Sequence, residues 1–163
     1  MRTVLAVTIA LALLAPSVAG AAGVSSTDPL GKAVVAYQQL GVVRVIEHFD
    51  DGGYATVDVM PNQYRVATSS GNEDPALVVQ LATHPIPDVT SATSSYSVKP
   101  LGTKVLENVK VNGYTISNAD NSYVVTVWLN PNNLPMIADV QTQGRKVNLM
   151  FGNYNNQLLL GAR

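Results

Sequence analysis

Few side chains in this sequence could do chemistry, and they are scattered. There are two histidines, His48 and His84, and no cysteine. Without thiols there is no cysteine nucleophile, no CxxC zinc site and no haem attachment. The GxSxG, HExxH, P-loop and GxGxxG patterns are absent as well. A metal shared by His48 and His84 would join distant positions, one on a strand's polar face beside Arg44, the other opening a Pro-rich stretch. Both are read as solvated or locally bonded. Asp50, Asp51 and Asp58 lack the alternating oxygen ligands of a calcium loop, and Asp50-Asp51-Gly52-Gly53 is ordinary hairpin-turn chemistry.

Glu47 is the most awkward acid, because alternation points it inward with Val45 and Phe49. It is either a buried, tuned carboxylate or the mark of a bulge or strand edge, and the second reading is preferred. Lys99, Lys104, Lys110, Arg145 and Lys146 fall at strand ends and outward positions, where lone charges keep edges from aggregating. They are read as a solvated face rather than a docking patch. No enzyme, metal or cofactor is expected from these residues.

The positioning elements are more telling than the chemistry. Residues 122–154 read as three consecutive antiparallel strands. Tyr123, Val125, Val127 and Leu129 share a face, as do Leu134, Met136, Ala138 and Val140, then Val147, Leu149 and Phe151. Asn130-Pro131-Asn132-Asn133 and Gln143-Gly144 supply the turns. Earlier, Val43, Val45 and Phe49 alternate on one strand. Ala55, Val57 and Val59 face inward opposite Tyr54, Thr56 and Asp58, and Pro61-Asn62 turns the chain into Tyr64 and Val66. Further strands are expected at 96–98, 104–111 and 114–117, giving seven to nine in all. Asp28-Pro29 opens an amphipathic helix over 29–40, with Leu30, Ala33, Val34, Tyr37 and Leu40 at helical spacing. Residues 76–83 stay ambiguous: Asp74-Pro75 is a helix start, while Val78 and Val79 suit a strand.

Near the start of the 163 residues come Arg2, an apolar run over 4–14, Pro16, and small residues at 19–22. That order predicts a signal peptide over 1–21 and an exported, periplasmic protein. The apolar run is too short to favour a transmembrane helix. A flexible leader is expected at 22–28, one domain at 29–155 and a tail at 156–163. The balance of 10 basic against 11 acidic side chains argues against nucleic acid. Only 13% of residues are charged, against 47% hydrophobic, so apolar material is ample.

An area estimate sharpens this. Eight strands at ~4.8 Å spacing and ~20 Å length present roughly 770 Å² on one face. A twelve-residue helix, ~18 Å by ~10 Å, covers on the order of 200 Å². Either the sheet curls until its own side chains fill the interior, or it keeps a cavity for an apolar ligand or a partner segment.

The order of elements, with Pro61-Asn62-Gln63-Tyr64-Arg65, Gly113-Tyr114, Val125-Thr126-Val127-Trp128-Leu129, Leu134-Pro135, and Gly144 through Tyr154-Asn155, resembles the LolA-like superfamily. This group of periplasmic lipoprotein carriers includes LppX-type lipid-binding proteins. The resemblance covers most of residues 30–155. It implies a mainly β fold: a curved antiparallel sheet forming an incomplete, half-open barrel, with an N-terminal helix on the concave face. It also implies a non-catalytic carrier of lipid or lipoprotein acyl chains, with membrane-bound donor and acceptor proteins as partners. The missing lipidation cysteine implies a freely soluble member, expected to be a monomer.

The expected cavity lining is Val45, Val57, Val59, Tyr64 and Val66 in the first sheet region. Val125, Val127, Leu134, Met136, Leu149 and Phe151 belong to the second, with Tyr37 and Leu40 on the helix side. Trp128 and Met150 fall on the opposite face. The rival reading is an exported protein-interaction or envelope-stress sensor module that grips a polypeptide by the groove or an edge strand. Solvent-exposed Tyr54, Tyr114 and Tyr154 would support it.

Overall fold

The computed structural model describes residue 25 and residues 28–71, 74–91 and 94–154. The expected signal peptide, most of the leader and the tail lie outside the described residues. Helix α1 spans Pro29–Gln38. It precedes strands β1 (Val43–Phe49), β2 (Tyr54–Met60) and β3 (Gln63–Ser70). Helix α2 (Pro75–Thr83) follows, then β4 (Ser97–Leu106), β5 (Val109–Ser117), β6 (Tyr123–Leu129), β7 (Pro135–Thr142) and β8 (Arg145–Gly152).

The strands form one open eight-stranded sheet in the order β3-β2-β1-β8-β7-β6-β5-β4, with every pair antiparallel. Two meanders meet where β1 pairs with β8. The sheet therefore does not close: β3 and β4 are its free edges. Helix α2 follows the β3 edge in sequence and packs against β2, β1 and β3. This is the curved, half-open barrel expected from the sequence, with α1 on its concave face.

Asp74 resolves the ambiguous segment 76–83 as helix. Its side chain accepts the Ala76 N–H at 2.9 Å, and Pro75 supplies a preset first residue. Leu77, Val78, Leu81 and Ala82 then fall on one buried stripe. The two helices are tied where the Tyr37 hydroxyl donates to the Ala82 carbonyl at 2.6 Å.

Beneath them the interior is filled. Val45, Val57, Val125, Val127, Leu129, Ala138 and Leu149 have no exposed surface. Ile86 and Val89, from the Pro-rich stretch that His84 opens, join this core. The helices alone were expected to leave much of the sheet bare; the connector and the curl of the sheet supply the missing cover.

Three local expectations are corrected. Residues 104–111 are not one strand but a hairpin, turning at Glu107 (φ 47°) and Asn108 (φ 64°). Leu134 lies just before β7, and Met136 sits where the β6–β7 register slips. Glu47 marks neither bulge nor edge: it pairs regularly with Ala55 and Leu149 and is fully buried. Among the described residues no helix is long and apolar enough to cross a membrane.

Candidate functional site: a cleft along the free edge

The apolar opening lies at the β3 edge rather than across the whole concave face. A cleft of about 720 Å³ runs between the end of α1, the end of α2 and the β2–β3 hairpin. Its walls include Tyr37, Leu40, Val43, Val59, Tyr64 and Val79. A second hollow of about 550 Å³ extends along α2, lined by Tyr64, Val66, Pro75, Ala76 and Val79. The two share Tyr64, Val79, Thr83 and His84, so they form one groove between α2 and the edge strand.

Strand alternation explains the lining. Tyr64 and Val66 point to the helix-covered side of β3, but α2 stands off far enough to leave them 53% and 41% exposed. Val59, paired with Tyr64, continues the wall into the sheet. Around the mouth stand Gln38, Asn62, Gln63, Thr83 and His84, none of them acidic. The Thr83 hydroxyl and His84 Nδ1 lie 2.9 Å apart.

Of the thirteen expected lining residues, the fold brings Tyr37, Leu40, Val59 and Tyr64 together in the larger cleft, with Val66 in its extension. Val45, Val57, Val125, Val127 and Leu149 lie in the filled core. Phe151 packs at that core's margin, its ring edge-on to Tyr37 with centroids 5.9 Å apart. Leu134 and Met136 are half-buried on the far side of the sheet from this groove. Sequence reasoning missed Val79 and the α2 side, because the nature of 76–83 was unsettled until the cap and packing were seen.

Other candidate chemistry is accounted for locally. Asp58 is buried on the outer face, 2.7 Å from Arg44 and 2.6 Å from Arg65. The hydrogen bond from Arg44 holds its carboxyl below the usual range, and Arg65 adds to this. Asp51 pairs with Arg145 at 2.7 Å. Lys104 lies 3.7 Å above the Trp128 ring rather than in a basic patch. Burial raises the Tyr37 phenol well above its ordinary value, and the charges of Tyr154 and Glu47 add to that. Among the described residues no three His, Asp or Glu side chains cluster as metal ligands would. Tyr54 is 42% exposed, but Tyr114 and Tyr154 pack against the core and are not the free surface tyrosines expected. The Tyr154 hydroxyl donates to the Pro135 carbonyl.

No family model and no curated protein matches this sequence. Solved structures do match. LppX, a lipoprotein of Mycobacterium tuberculosis, superposes with a TM-score of 0.50 at 15% identity, covering 78% of this chain and 95% of LppX. LprF of Mycobacterium bovis gives 0.48 at 11% identity, over 78% of this chain and 91% of its own. A LolA superfamily protein of Nitrosomonas europaea gives 0.35 at 13% identity, over 80% and 93%. The resemblance read from the sequence thus holds for architecture: this chain shares the fold of LppX, an open, curved antiparallel sheet with helices on one face.

Proposed function

We propose that this protein is an exported, non-catalytic carrier that shelters the acyl chains of a lipid or lipoprotein in the α2–β3 groove. The observation that supports this reading best is Tyr64 and Val66. Two large apolar side chains remain half-exposed inside a groove whose other wall is Pro75, Ala76, Val79, Gln80 and Thr83 of α2. Each methylene hidden there contributes about 0.8 kcal/mol, so a long chain binds usefully without specific polar contacts. Tyr37, Leu40, Val59, Tyr64, Val66 and Val79 are the proposed contacts. The polar mouth, with no acidic side chain, lets a headgroup stay in water. In this reading the N-terminal apolar run is the export signal, and donor and acceptor partners at the membrane load and unload the groove.

The test is displacement of an apolar fluorescent probe by a long-chain fatty acid, alongside native mass spectrometry of protein purified from its own envelope. Probe binding, displacement and a co-purifying lipid mass are expected. A Val66→Asp variant, altered at a solvent-reachable position, should bind probe at least tenfold more weakly while keeping its melting temperature within a few degrees. An unaltered affinity in that variant would remove the groove from consideration.

A further inference from the structure

On the face of the sheet opposite the helices, register aligns polar side chains into one continuous row. Thr126 on β6 pairs with Asp139 on β7, Asp139 with Asn148 on β8, and Asn148 with His48 on β1. The row continues to Thr115 on one side and Tyr54 on the other. It runs through a trough of about 520 Å³, a volume in the usual range for small-molecule sites. Gln141 and Lys146 flank the row with Val124 beside them, while Phe49, Val140 and Val147, which border the trough, are buried in the core on the helix-covered side.

The charges in this trough nearly cancel. Asp50 is engaged by the Lys146 backbone N–H at 3.1 Å and by Arg145 at 3.8 Å. That leaves the Asp139 carboxylate and the Lys146 ammonium, one of each sign. The Asn148 amide donates to Asp139 at 2.8 Å, which orients both groups and leaves the amide oxygen as an acceptor. Thr126 can donate and accept, and so can a neutral His48 imidazole. Such a surface has little attraction for a strongly ionic ligand. All four strands beneath it are paired on both sides, so no free backbone edge invites a peptide strand. What it offers is a dense set of donors and acceptors, with Val124 as its apolar side chain.

We infer that this trough is a second binding site, for a neutral saccharide. Each pyranose hydroxyl both donates and accepts, matching the Thr126–Asp139–Asn148–His48 row. The site is independent of the acyl groove, which lies on the other face of the sheet.

Two-dimensional amide NMR of the protein tests this with maltose, cellobiose and N,N′-diacetylchitobiose as probes. At least one should move the amides of His48, Thr126, Asp139 and Asn148 progressively, with a dissociation constant near ~1 mM. An Asp139→Ala/Asn148→Ala variant should weaken that binding about tenfold or more, and the milder Thr126→Val should weaken it detectably. Dodecyl maltoside below its micelle concentration distinguishes the sources. Row shifts with maltose itself mean a free saccharide; row shifts with the alkyl glycoside alone mean a lipid-linked sugar. Absence of row shifts with every probe, or shifts undiminished in both variants, would overturn the inference.

Discussion

Asp58 carries the strongest ionic contacts on the outer face, and its energetics follow from the two guanidiniums. Its carboxyl is held below the ordinary value of 3.8, first by the hydrogen bond from Arg44. A carboxyl depressed in the folded state stabilises the protein above its unfolded value, and that contribution is lost as pH falls through the folded value. Asp58→Asn is therefore expected to cost about 1–2 kcal/mol at neutral pH, limited because both arginines reach solvent. The gap to the parent should shrink as pH drops below 3.8. Thermal melts across the acid range check this; a pH-independent gap would contradict it. Glu47 behaves differently: the strand's alternation placed it inward, and only the regular pairing on both sides excluded the bulge that would have turned it out.

Elements in this fold are set by turns and cross-strand fit. The β4–β5 hairpin turns at two residues with positive φ, Glu107 and Asn108. Asn is a familiar occupant of such positions, but Glu is not, so the turn left no strong mark in the sequence. Two strands consequently read as one. The neighbouring β5–β6 pair depends on Gly113 opposite Trp128. A Cβ at Gly113 would sit 2.5 Å from Trp128 Cζ3, with two further ring atoms within 2.8 Å. Gly113→Ala must displace the indole from beneath Lys104, at an expected cost of about 1–3 kcal/mol. A lower melting temperature and altered fluorescence of Trp128, the only tryptophan, would show it. Unchanged fluorescence would mean that the ring does not rest on this glycine.

For the whole molecule, buried phenols couple the fold to alkaline pH. Burial, with a smaller contribution from Tyr96, pushes Tyr123 up to about 12, and burial raises Tyr37 and Tyr154 too. A phenol raised in the folded state stabilises fully below its unfolded value, near 10.0, and loses that contribution as pH climbs through the folded value. Base titration should ionise the exposed phenols first. The buried ones should follow only together with cooperative unfolding, seen as coincident phenolate absorbance and circular-dichroism changes above pH 10. Phenolate formation by all seven tyrosines without loss of structure would refute the burial that joins α1, α2 and the sheet.

The sequence by itself determined the class of fold. Period-two runs at 43–49, 54–60 and 123–151, and a Pro-started helical stripe at 29–40, permit little besides a one-sided sheet with a helix on it. These signals are local, and local periodicity survives without knowledge of neighbours. Where the apolar surface stays open was decided only in three dimensions. Val57 and Val66 look alike in sequence and are register partners, yet one is sealed in the core and the other lines a groove. The difference lies in how far α2 reaches toward the free edge. The polar row across β6, β7, β8 and β1 was equally hidden, because its members come from strands that only the β1–β8 pairing brings together. Patterns report which face a side chain takes; long-range pairing and helix placement decide what that face meets.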